Sequence, residues 1–169
     1  MSAGRTRRVL LWLAATDATF TRGRLQGREV LVGKCIHCNR RQTIACDGEP
    51  LSRATIEHII PRNHGGRDTV DNLAIACAAC NIGKGHRLDL RAFSDPTLQR
   101  VIATLQERRR ERRREPPEWL DLPPWPGEQE EGESEATGDV GEPASTGAQT
   151  ATSRSGRRGR GRGARKKDR

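Results

Sequence analysis

The apolar positions of the chain fall into short runs separated by polar stretches, and each run predicts one element. Residues 9–15 form an apolar run suited to a helix that packs on a domain. Residues 30–32 are β-rich and lead to a glycine, which favours a strand. Residues 42–45 and 54–60 are two more strand-like runs on either side of a turn signal at residues 47–50. We therefore predict that these two runs pair as a hairpin.

A helix is predicted directly after this hairpin. Pro61 ends the second strand, and a glycine-rich loop follows it. Asp71 is a suitable N-cap for a helix that begins at Asn72 and carries Ile75 toward the core. The predicted order of elements in the middle of the chain is thus strand, strand, helix.

Another helix is predicted farther along the chain. Asp95 is a suitable N-cap and Pro96 a suitable first residue, and the next two turns place apolar side chains on one face. These apolar positions are Leu98, Val101, Ile102 and Leu105. Residues 107–115 continue the helical period with charged side chains only, so we expect a charged rod that leaves the body and contacts a nucleic-acid backbone, with a plain solvated helix as the alternative. The arginines assigned to those contacts are Arg109, Arg110 and Arg113.

The chain becomes irregular after this helix. Residues 116–126 combine two tryptophans and two leucines with several prolines, and this segment either docks on the domain or binds a partner. Residues 127–169 contain almost no large apolar side chains. Such a segment cannot bury enough surface to offset the entropy lost on ordering, so we predict that it is disordered.

The net charge of +9 is distributed unevenly. Residues 127–153 carry seven acidic and no basic side chains, whereas residues 154–169 carry nine basic side chains and one acidic one. Residues 1–126 are also basic overall, so an acidic stretch separates two basic blocks. This distribution is expected of a protein that handles a polyanion.

The N-terminus has the outline of a short signal peptide, because Arg5, Arg7 and Arg8 precede the first apolar run. The run is at the lower length limit for such a peptide, and no clean small-residue cleavage site follows it. A helix packed on the domain is therefore the preferred interpretation. No other run approaches the roughly 18 residues of a membrane span, so we expect a soluble, cytoplasmic protein that does not bind a membrane.

Only 3% of the residues are aromatic, so the apolar core should be thin and should need a covalent or metal cross-link. Two Cys-x-x-Cys pairs supply one, Cys35 with Cys38 and Cys77 with Cys80. Four thiolates enclose a tetrahedral ion and leave no position for water, so we predict a structural Zn²⁺. Disulfides in a secreted protein are the alternative, which the odd fifth cysteine, Cys46, disfavours.

The two cysteine pairs are unusually far apart. There are 38 residues between Cys38 and Cys77, whereas the common zinc-ribbon spacing is about 15–20 residues. A functional stretch is therefore inserted between the two halves of the metal site. His37, inside the first pair, is expected to point into solvent.

The insert contains residues suited to hydrolysing a phosphodiester. Glu57 precedes His58, and Asn72 and Asn81 follow at set distances. A histidine can accept a proton from water near neutral pH, and carboxylate and amide oxygens are ligands for a hard cation such as Mg²⁺. A lone pair of this type would more simply be two surface residues of a strand, and it is the matching context that favours chemistry.

These residues resemble the HNH endonucleases of the ββα-metal, or His-Me finger, group. His58 and Asn72 lie 14 positions apart and Asn72 and Asn81 lie 9 apart, as the motif of that group requires, and zinc knuckles flank the motif as they do in its zinc-bearing members. The resemblance covers about the third of the chain between Cys35 and Gly85. The matching positions are Glu57-His58-Ile59-Ile60-Pro61, Gly65-Gly66, Asn72-Leu73 and Cys77-x-x-Cys80-Asn81-x-x-Lys84.

The resemblance implies a role for each matched residue. His58 is the general base, Glu57 and Asn81 bind the catalytic Mg²⁺ or Mn²⁺, and Asn72 fixes the loop and the ring of the base. Two positions depart from the usual motif. Glu57 stands where Asp is more common, which adds a methylene of reach, and Asn81 stands where His is common, which favours a hard cation over zinc.

Three further residues near the motif are candidate contacts to nucleic acid. Arg62 and Lys84 are predicted to clamp phosphates, with ordinary solvated charges as the alternative for both. His64 lies in the glycine-rich loop and either touches a phosphate or is a solvated loop residue.

The sequence as a whole predicts an α+β fold, in which a small ββα-metal HNH domain is stapled by the four-cysteine zinc site. The predicted function is a metal-dependent endonuclease. Double-stranded DNA is its preferred predicted substrate, and RNA remains the other option. The alternative function is a non-catalytic zinc-ribbon protein that binds nucleic acid. The predicted segments are an N-terminal helix and strand (1–34), a nuclease core (35–94), a helix with an arginine-rich extension (95–115), a Pro/Trp segment (116–126) and a disordered tail (127–169).

Overall fold

A computed structural model describes residues 2–126 of the 169-residue chain. The tail for which disorder was predicted, residues 127–169, lies outside the described residues. The elements are helices and small antiparallel sheets, so the predicted α+β class is confirmed. Within the described part of the chain, no helix is long and apolar enough to cross a membrane.

The first element is a helix, as predicted. Helix α1 spans Ala3–Ala15, and the Ser2 side chain caps it by accepting a hydrogen bond from the Arg5 backbone nitrogen. Its apolar residues are buried, including Leu10 and Leu13. The run that resembled a signal peptide is therefore a helix packed into the core.

Three strands follow and form an antiparallel sheet in chain order: β1 (Thr21–Leu25), β2 (Arg28–Lys34) and β3 (Arg41–Ala45). Strand β1 was not predicted, because its alternating Arg and Gly residues lack the apolar pattern of a strand. It pairs with β2 through a two-residue turn in which Gln26 and Gly27 have φ values of 50° and 79°. Positive φ at both turn positions matches the twist of a hairpin.

The predicted hairpin between residues 42–45 and 54–60 is wrong. Strand β3 pairs with β2, and residues 49–52 fold back along its other side, where Leu51 donates a backbone hydrogen bond to Thr43 O and Ala45 N bonds Glu49 O. Strand β4 (Ala54–His58) therefore pairs elsewhere.

The partner of β4 is β5 (Leu73–Cys77), and the two strands run antiparallel with Ala54 opposite Cys77 and His58 opposite Leu73. The helix predicted to begin at Asn72 is therefore wrong. Helix α2 starts later, at Ala78–Lys84, and a π-helical turn at Gly85–Asp89 continues it. The predicted order strand, strand, helix missed β5, because the chain runs β3, β4, β5 and then α2.

Helix α3 spans Pro96–Arg112 and begins as predicted, because the Asp95 carboxylate accepts hydrogen bonds from Thr97 N and Leu98 N. Its apolar face packs on the domain, where Leu98, Ile102 and Leu105 are buried.

The charged rod predicted for residues 107–115 is wrong. The arginines of this stretch bind backbone carbonyl groups of the domain: Arg108 donates to Ile36 O and His37 O, and Arg114 donates to Ala15 O and Phe20 O. A guanidinium offers five donors, so it can satisfy carbonyl groups that no strand or helix pairs. The stretch is thus attached to the body.

The interior consists of two apolar clusters, and β5 lies between them. Leu73 and Ile75 belong to the cluster that contains α1, Phe20 and the inner face of the first sheet. Ala74 and Ala76 belong to the second cluster, which contains the apolar face of α3. All five residues of β5 are buried.

The Pro/Trp segment docks on the domain, which decides between the two alternatives left open for it. The Trp125 side chain is buried and packs edge-on against Trp12, with ring centroids 5.9 Å apart. Trp12 Nε1 donates to Pro123 O at 2.6 Å. Trp119 remains 42% exposed and lies under the Arg22 guanidinium.

Candidate active site and metal centre

The four predicted zinc ligands lie together. The sulfur atoms of Cys35, Cys38, Cys77 and Cys80 are all within 4.8 Å of one another. The first pair follows the end of β2, and the second pair spans the junction of β5 and α2. Four sulfurs so arranged could hold a metal ion such as zinc. The fifth cysteine, Cys46, lies outside this cluster.

The thiols of this centre have unequal acidity. Burial raises the pKa of Cys35 and raises the pKa of Cys80 to about 12. The backbone N–H of Arg40 lowers the pKa of Cys38 to about 7. A metal must therefore displace protons from the buried thiols when it binds.

Glu57 and His58 are the last two residues of β4. Successive strand residues point to opposite faces, and the contacts of the two side chains differ accordingly. Glu57 lies on the face covered by α2 and is 1% exposed, whereas His58 is half-buried beside the loop that follows the strand.

The Glu57 carboxylate is held from two sides. One oxygen, Oε2, is 3.0 Å from Nε2 of His37, which lies inside the first cysteine pair. The other, Oε1, is 2.8 Å from Lys84 Nζ. The prediction that His37 points into solvent is wrong, because its ring contacts the buried carboxylate of Glu57.

Lys84 is buried rather than solvated, with its side chain 3% exposed. Its ammonium group contacts the carboxylates of Glu57 and Asp89, the latter at 2.9 Å, and donates to His58 O at 2.9 Å. The phosphate clamp predicted for Lys84 and its solvated alternative are both at odds with this position. The residue instead ties the end of β4 to the helical turn after α2.

Asn81 lies on α2 and faces β4. Its amide nitrogen donates to Thr55 Oγ1 and to Ile56 O, both at 3.0 Å. These two bonds orient the side-chain amide beside the strand that carries Glu57. Both bonds are donated by the amide nitrogen of Asn81, so its side-chain carbonyl oxygen is the atom that can bind a cation.

His58 contacts two residues that the glycine-rich loop brings to it. Nε2 is 2.8 Å from Asp68 Oδ1 and 3.0 Å from Arg62 Nε. The Arg62 guanidinium also donates to both carboxylate oxygens of Asp68, at 2.7 and 2.8 Å. Burial raises the pKa of Asp68, but the hydrogen bonds from His58 and Arg62 outweigh it, so that the pKa of the carboxyl is lowered.

Asn72 joins the two ends of that loop. Its Oδ1 accepts from Ile60 N at 2.8 Å, and its Nδ2 donates to Ile60 O and Arg67 O. The backbone of Gly66 packs against the same place, where a Cβ would overlap the Ile60 carbonyl group. The loop that carries Asp68 is therefore closed by a single asparagine.

The remaining predicted contact residues lie in different places. His64 is half-buried, with its ring 5.4 Å from that of Phe93 and Nε2 3.2 Å from Asp89 O. Arg62 is 55% exposed although it binds Asp68.

The three arginines assigned to nucleic-acid contacts, at the end of α3 and just after it, line one cavity together with Asp71 and Gln106. Arg109 is 2% exposed and donates to Val70 O and to Thr16, so it is a core residue. Arg110 and Arg113 remain exposed but are paired with Glu107 and Asp71. The contact to nucleic acid is therefore at odds with the burial of Arg109 and stays a prediction for Arg110 and Arg113.

Sequence reasoning missed Asp68 and the link from His37 to Glu57. Asp68 and His37 do not lie at positions of the HNH motif, and each is distant in sequence from the residue that it contacts. The only available indication was that Asp68 follows the paired glycines of a loop that starts beside His58.

The comparisons with known proteins agree with the geometry. Searches of curated proteins and of solved structures found no match. A family model described as HNH endonuclease matches residues 35–87 of the chain. The matched segment contains both cysteine pairs, β3, β4, the closed loop, β5 and α2. The resemblance stated from the motif is therefore confirmed for residues 35–87, the segment that this model matches.

Proposed function

We propose that this protein is an endonuclease that uses a divalent cation to hydrolyse phosphodiester bonds of double-stranded DNA. The observation that carries the proposal is that Glu57 and His58 end β4 and Asn81 faces that strand from α2, within the segment that the HNH endonuclease model matches. A carboxylate, an amide oxygen and an imidazole are the groups that metal-assisted hydrolysis of a phosphodiester requires.

The residues present fit a hard cation at this position. Glu57 Oε1 is buried and contacts the Lys84 ammonium group at 2.8 Å, so this oxygen is already placed against a positive charge. Asn81 directs its nitrogen to β4, which leaves its oxygen available. Mg²⁺ or Mn²⁺ held by these two oxygens would neutralise charge that grows on the phosphate and on the departing 3′ oxygen.

A cation can bind Glu57 Oε1 only if the Lys84 ammonium group, which already contacts that oxygen, moves aside. The same ammonium contacts Asp89 and His58 O, so it can move away from Glu57 without losing all of its partners. The contact between His37 and Glu57 Oε2 keeps the carboxylate in position during such a shift.

His58 is the proposed base, and Asp68 fixes which of its nitrogens acts. A neutral ring carries one proton, so Nε2 either donates to Asp68 or accepts from Arg62. Both bonds have an ionised partner and are charge-assisted. We propose that Nε2 donates to Asp68, because Arg62 keeps its two bonds to that carboxylate in either case. With Nε2 as donor, Nδ1 is the acceptor that takes a proton from water.

The metal centre of the four cysteines has a structural role in this proposal. It contains four sulfurs and no oxygen or nitrogen ligand, so a zinc ion there has no open position for water. It joins the end of β2 to the start of α2 and so holds the strand and the helix that carry the catalytic groups.

The test is nicking of a supercoiled plasmid with Mg²⁺ or Mn²⁺, comparing wild type with His58→Ala. We expect His58→Ala to lose roughly 10²–10⁴-fold in cleavage rate while it keeps zinc and binds DNA, because the base acts in the transition state. Added metal should not restore it. For Glu57→Gln and Asn81→Ala, which weaken a cation ligand, higher metal concentrations should recover part of the loss.

One outcome favours a different function. If wild-type protein binds DNA but shows no cleavage beyond that of His58→Ala, the protein is a non-catalytic zinc-containing nucleic-acid-binding protein. The ion pair between Lys84 and Glu57 is the observation that fits this second candidate, because it satisfies the carboxylate without a metal.

A further inference from the structure

A groove of about 260 Å³ lies beside the metal centre, at the end of α2 that is farther from Lys84. Three arginines from separate segments line it: Arg40 after the first cysteine pair, Arg41 at the start of β3 and Arg53 before β4. We call these three residues the arginine groove. Its floor includes Ala78 and Ile82 of α2, and Ile82 is 57% exposed.

The charges of the arginine groove are not compensated by acidic side chains. None of its three guanidinium groups pairs with a carboxylate within residues 2–126, and no acidic residue lines the groove. Exposed arginines elsewhere in this part of the chain are commonly paired, as Arg22 is with Glu29 and Arg28 with Glu49.

The fold also places another cation next to the groove. Lys34 lies directly opposite Arg41 in the register of β2 and β3, and both residues are exposed. Like charges directly opposite each other destabilise a sheet. The arrangement therefore costs stability in the free protein, and a bound polyanion would relieve that cost.

The metal centre does not account for these charges. Cys77 lines the groove, and a zinc ion with four thiolates keeps two negative charges. Four cations surround this edge of the domain, and the guanidinium groups of Arg108 and Arg112 already lie along the first cysteine pair. The positive charge is in excess even with zinc bound.

The groove lies at a useful distance from the proposed active site. Arg53 precedes β4 and His58 ends it, so about 16 Å of extended strand separates them. That distance corresponds to about five base pairs of a duplex. A duplex that is cut beside His58 and whose axis runs along β4 would therefore place a backbone phosphate in the groove.

We propose that the arginine groove binds the phosphate backbone of duplex DNA about five base pairs from the bond that is cut. This inference rests on the proposed nuclease function, from which it takes the position of the cut. The contact would position the substrate and take no part in the chemical step.

The test measures binding to a duplex of about 20 base pairs as a function of salt. All proteins carry His58→Ala, so that no strand is cut. The slope of log K against log salt is negative, and each lost phosphate contact should reduce the magnitude of this slope by roughly 0.9. We therefore expect the triple groove variant to reduce that magnitude by about two to three units. The substitutions are Arg40→Gln, Arg41→Gln and Arg53→Gln.

A matched control removes the same number of charges elsewhere. Arg8, Arg24 and Arg100 are exposed and have no carboxylate partner within the described residues. Their triple glutamine variant should change the slope by less than one unit. If both triple variants change the slope equally, or if neither does, the groove is not a phosphate site and the proposal is overturned.

Two measurements keep this result separate from other failures. With His58 intact, the groove variant should raise KM for the duplex and leave kcat unchanged. If it nicks plasmid with unaltered KM, the groove proposal fails while the nuclease proposal stands. If the triple variant loses zinc, Arg53→Gln alone, which lies outside the cysteine pairs, must still reduce the magnitude of the slope by about one unit. A loss confined to single-stranded DNA or RNA would overturn the assignment to a duplex.

Discussion

The Glu57 carboxylate is positioned by a residue of the zinc knuckle. His37 lies between two metal ligands in sequence, and its ring meets Glu57 Oε2 at 3.0 Å. The position of this carboxylate, the proposed ligand of the catalytic cation, therefore depends on the conformation of the turn that carries Cys35 and Cys38. At the scale of single residues, this contact links the cysteine centre directly to the proposed cation site.

We expect His37→Ala to weaken binding of Mn²⁺ by about tenfold, because loss of a partner that orients a metal ligand typically costs that much. His37→Gln, whose amide nitrogen can replace Nε2, should restore most of the affinity. The measurement is calorimetric titration of the zinc-loaded proteins with Mn²⁺, with zinc content determined in parallel. Equal Mn²⁺ affinity in wild type and His37→Ala would show that the contact has no positioning role.

The roles of individual residues could be predicted only where a motif specifies their spacing. The roles proposed for Glu57, His58 and Asn81 rest on that spacing and stay predictions. Asp68 and His37 reach the site through the path of a loop and a turn, and that path depends on tertiary packing. No pattern of residue types in the sequence carries this information.

At the scale of elements, β5 shows why a strand was predicted as a helix. Its sequence, Leu-Ala-Ile-Ala-Cys, has no alternation of apolar and polar residues, because both faces are buried. A short apolar run buried on both sides cannot be distinguished from a helix by periodicity. Asp71 was also predicted to be the N-cap of that helix, whereas its carboxylate pairs with Arg113.

Helix α3 shows the converse error, in which charged residues were taken to be solvated. The Arg109 guanidinium is buried and donates to Val70 O, Thr16 O and Thr16 Oγ1. Burial lowers its pKa, and Asp17 nearby partly offsets this effect. The stem of an arginine can cross apolar surface while its head binds carbonyl groups. A charge pattern alone does not reveal such acceptors.

We expect Arg109→Met to destabilise the protein by about 1–3 kcal/mol, because it leaves buried acceptors without a donor. Arg110→Met, one residue away and 71% exposed, should change stability by less than about 0.5 kcal/mol. Urea unfolding of the two zinc-loaded variants measures the difference. Similar midpoints for both would indicate that the bonds of Arg109 contribute little.

At the scale of the whole molecule, the cysteine centre joins segments that are distant in the chain. It connects the first sheet to α2, while α3 covers the first cysteine pair with its arginines. A small domain with few aromatic residues gains much of its stability from such a cross-link. Binding of a metal by these thiols would therefore be coupled to folding of the domain.

We expect zinc affinity to rise with pH across the neutral range. The raised pKa of Cys80, about 12, and that of Cys35 keep both thiols protonated without metal, so binding releases protons. Acidification favours the proton-bound, metal-free form, and affinity should fall about tenfold per pH unit for each proton released. Competition with a chromogenic chelator between pH 6.5 and 8 measures this dependence.

Two cysteine variants provide the controls for this prediction. Cys77→Ser should lose zinc and unfold at lower urea concentration, whereas Cys46→Ser should behave as wild type in both respects. An affinity that does not vary with pH, or a Cys77→Ser protein as stable as wild type, would contradict a zinc site formed by these four thiols.

A metal bound by the four cysteines would also close a ring in the chain. Glu57, His58 and Asn72 all lie between Cys38 and Cys77, so the proposed catalytic residues would belong to a loop that the metal completes. A protease that cuts the exposed backbone near Gly65 would leave two fragments that each supply two sulfurs. The nicked protein would remain one particle while the metal is bound, and a chelator would remove the tether between its halves.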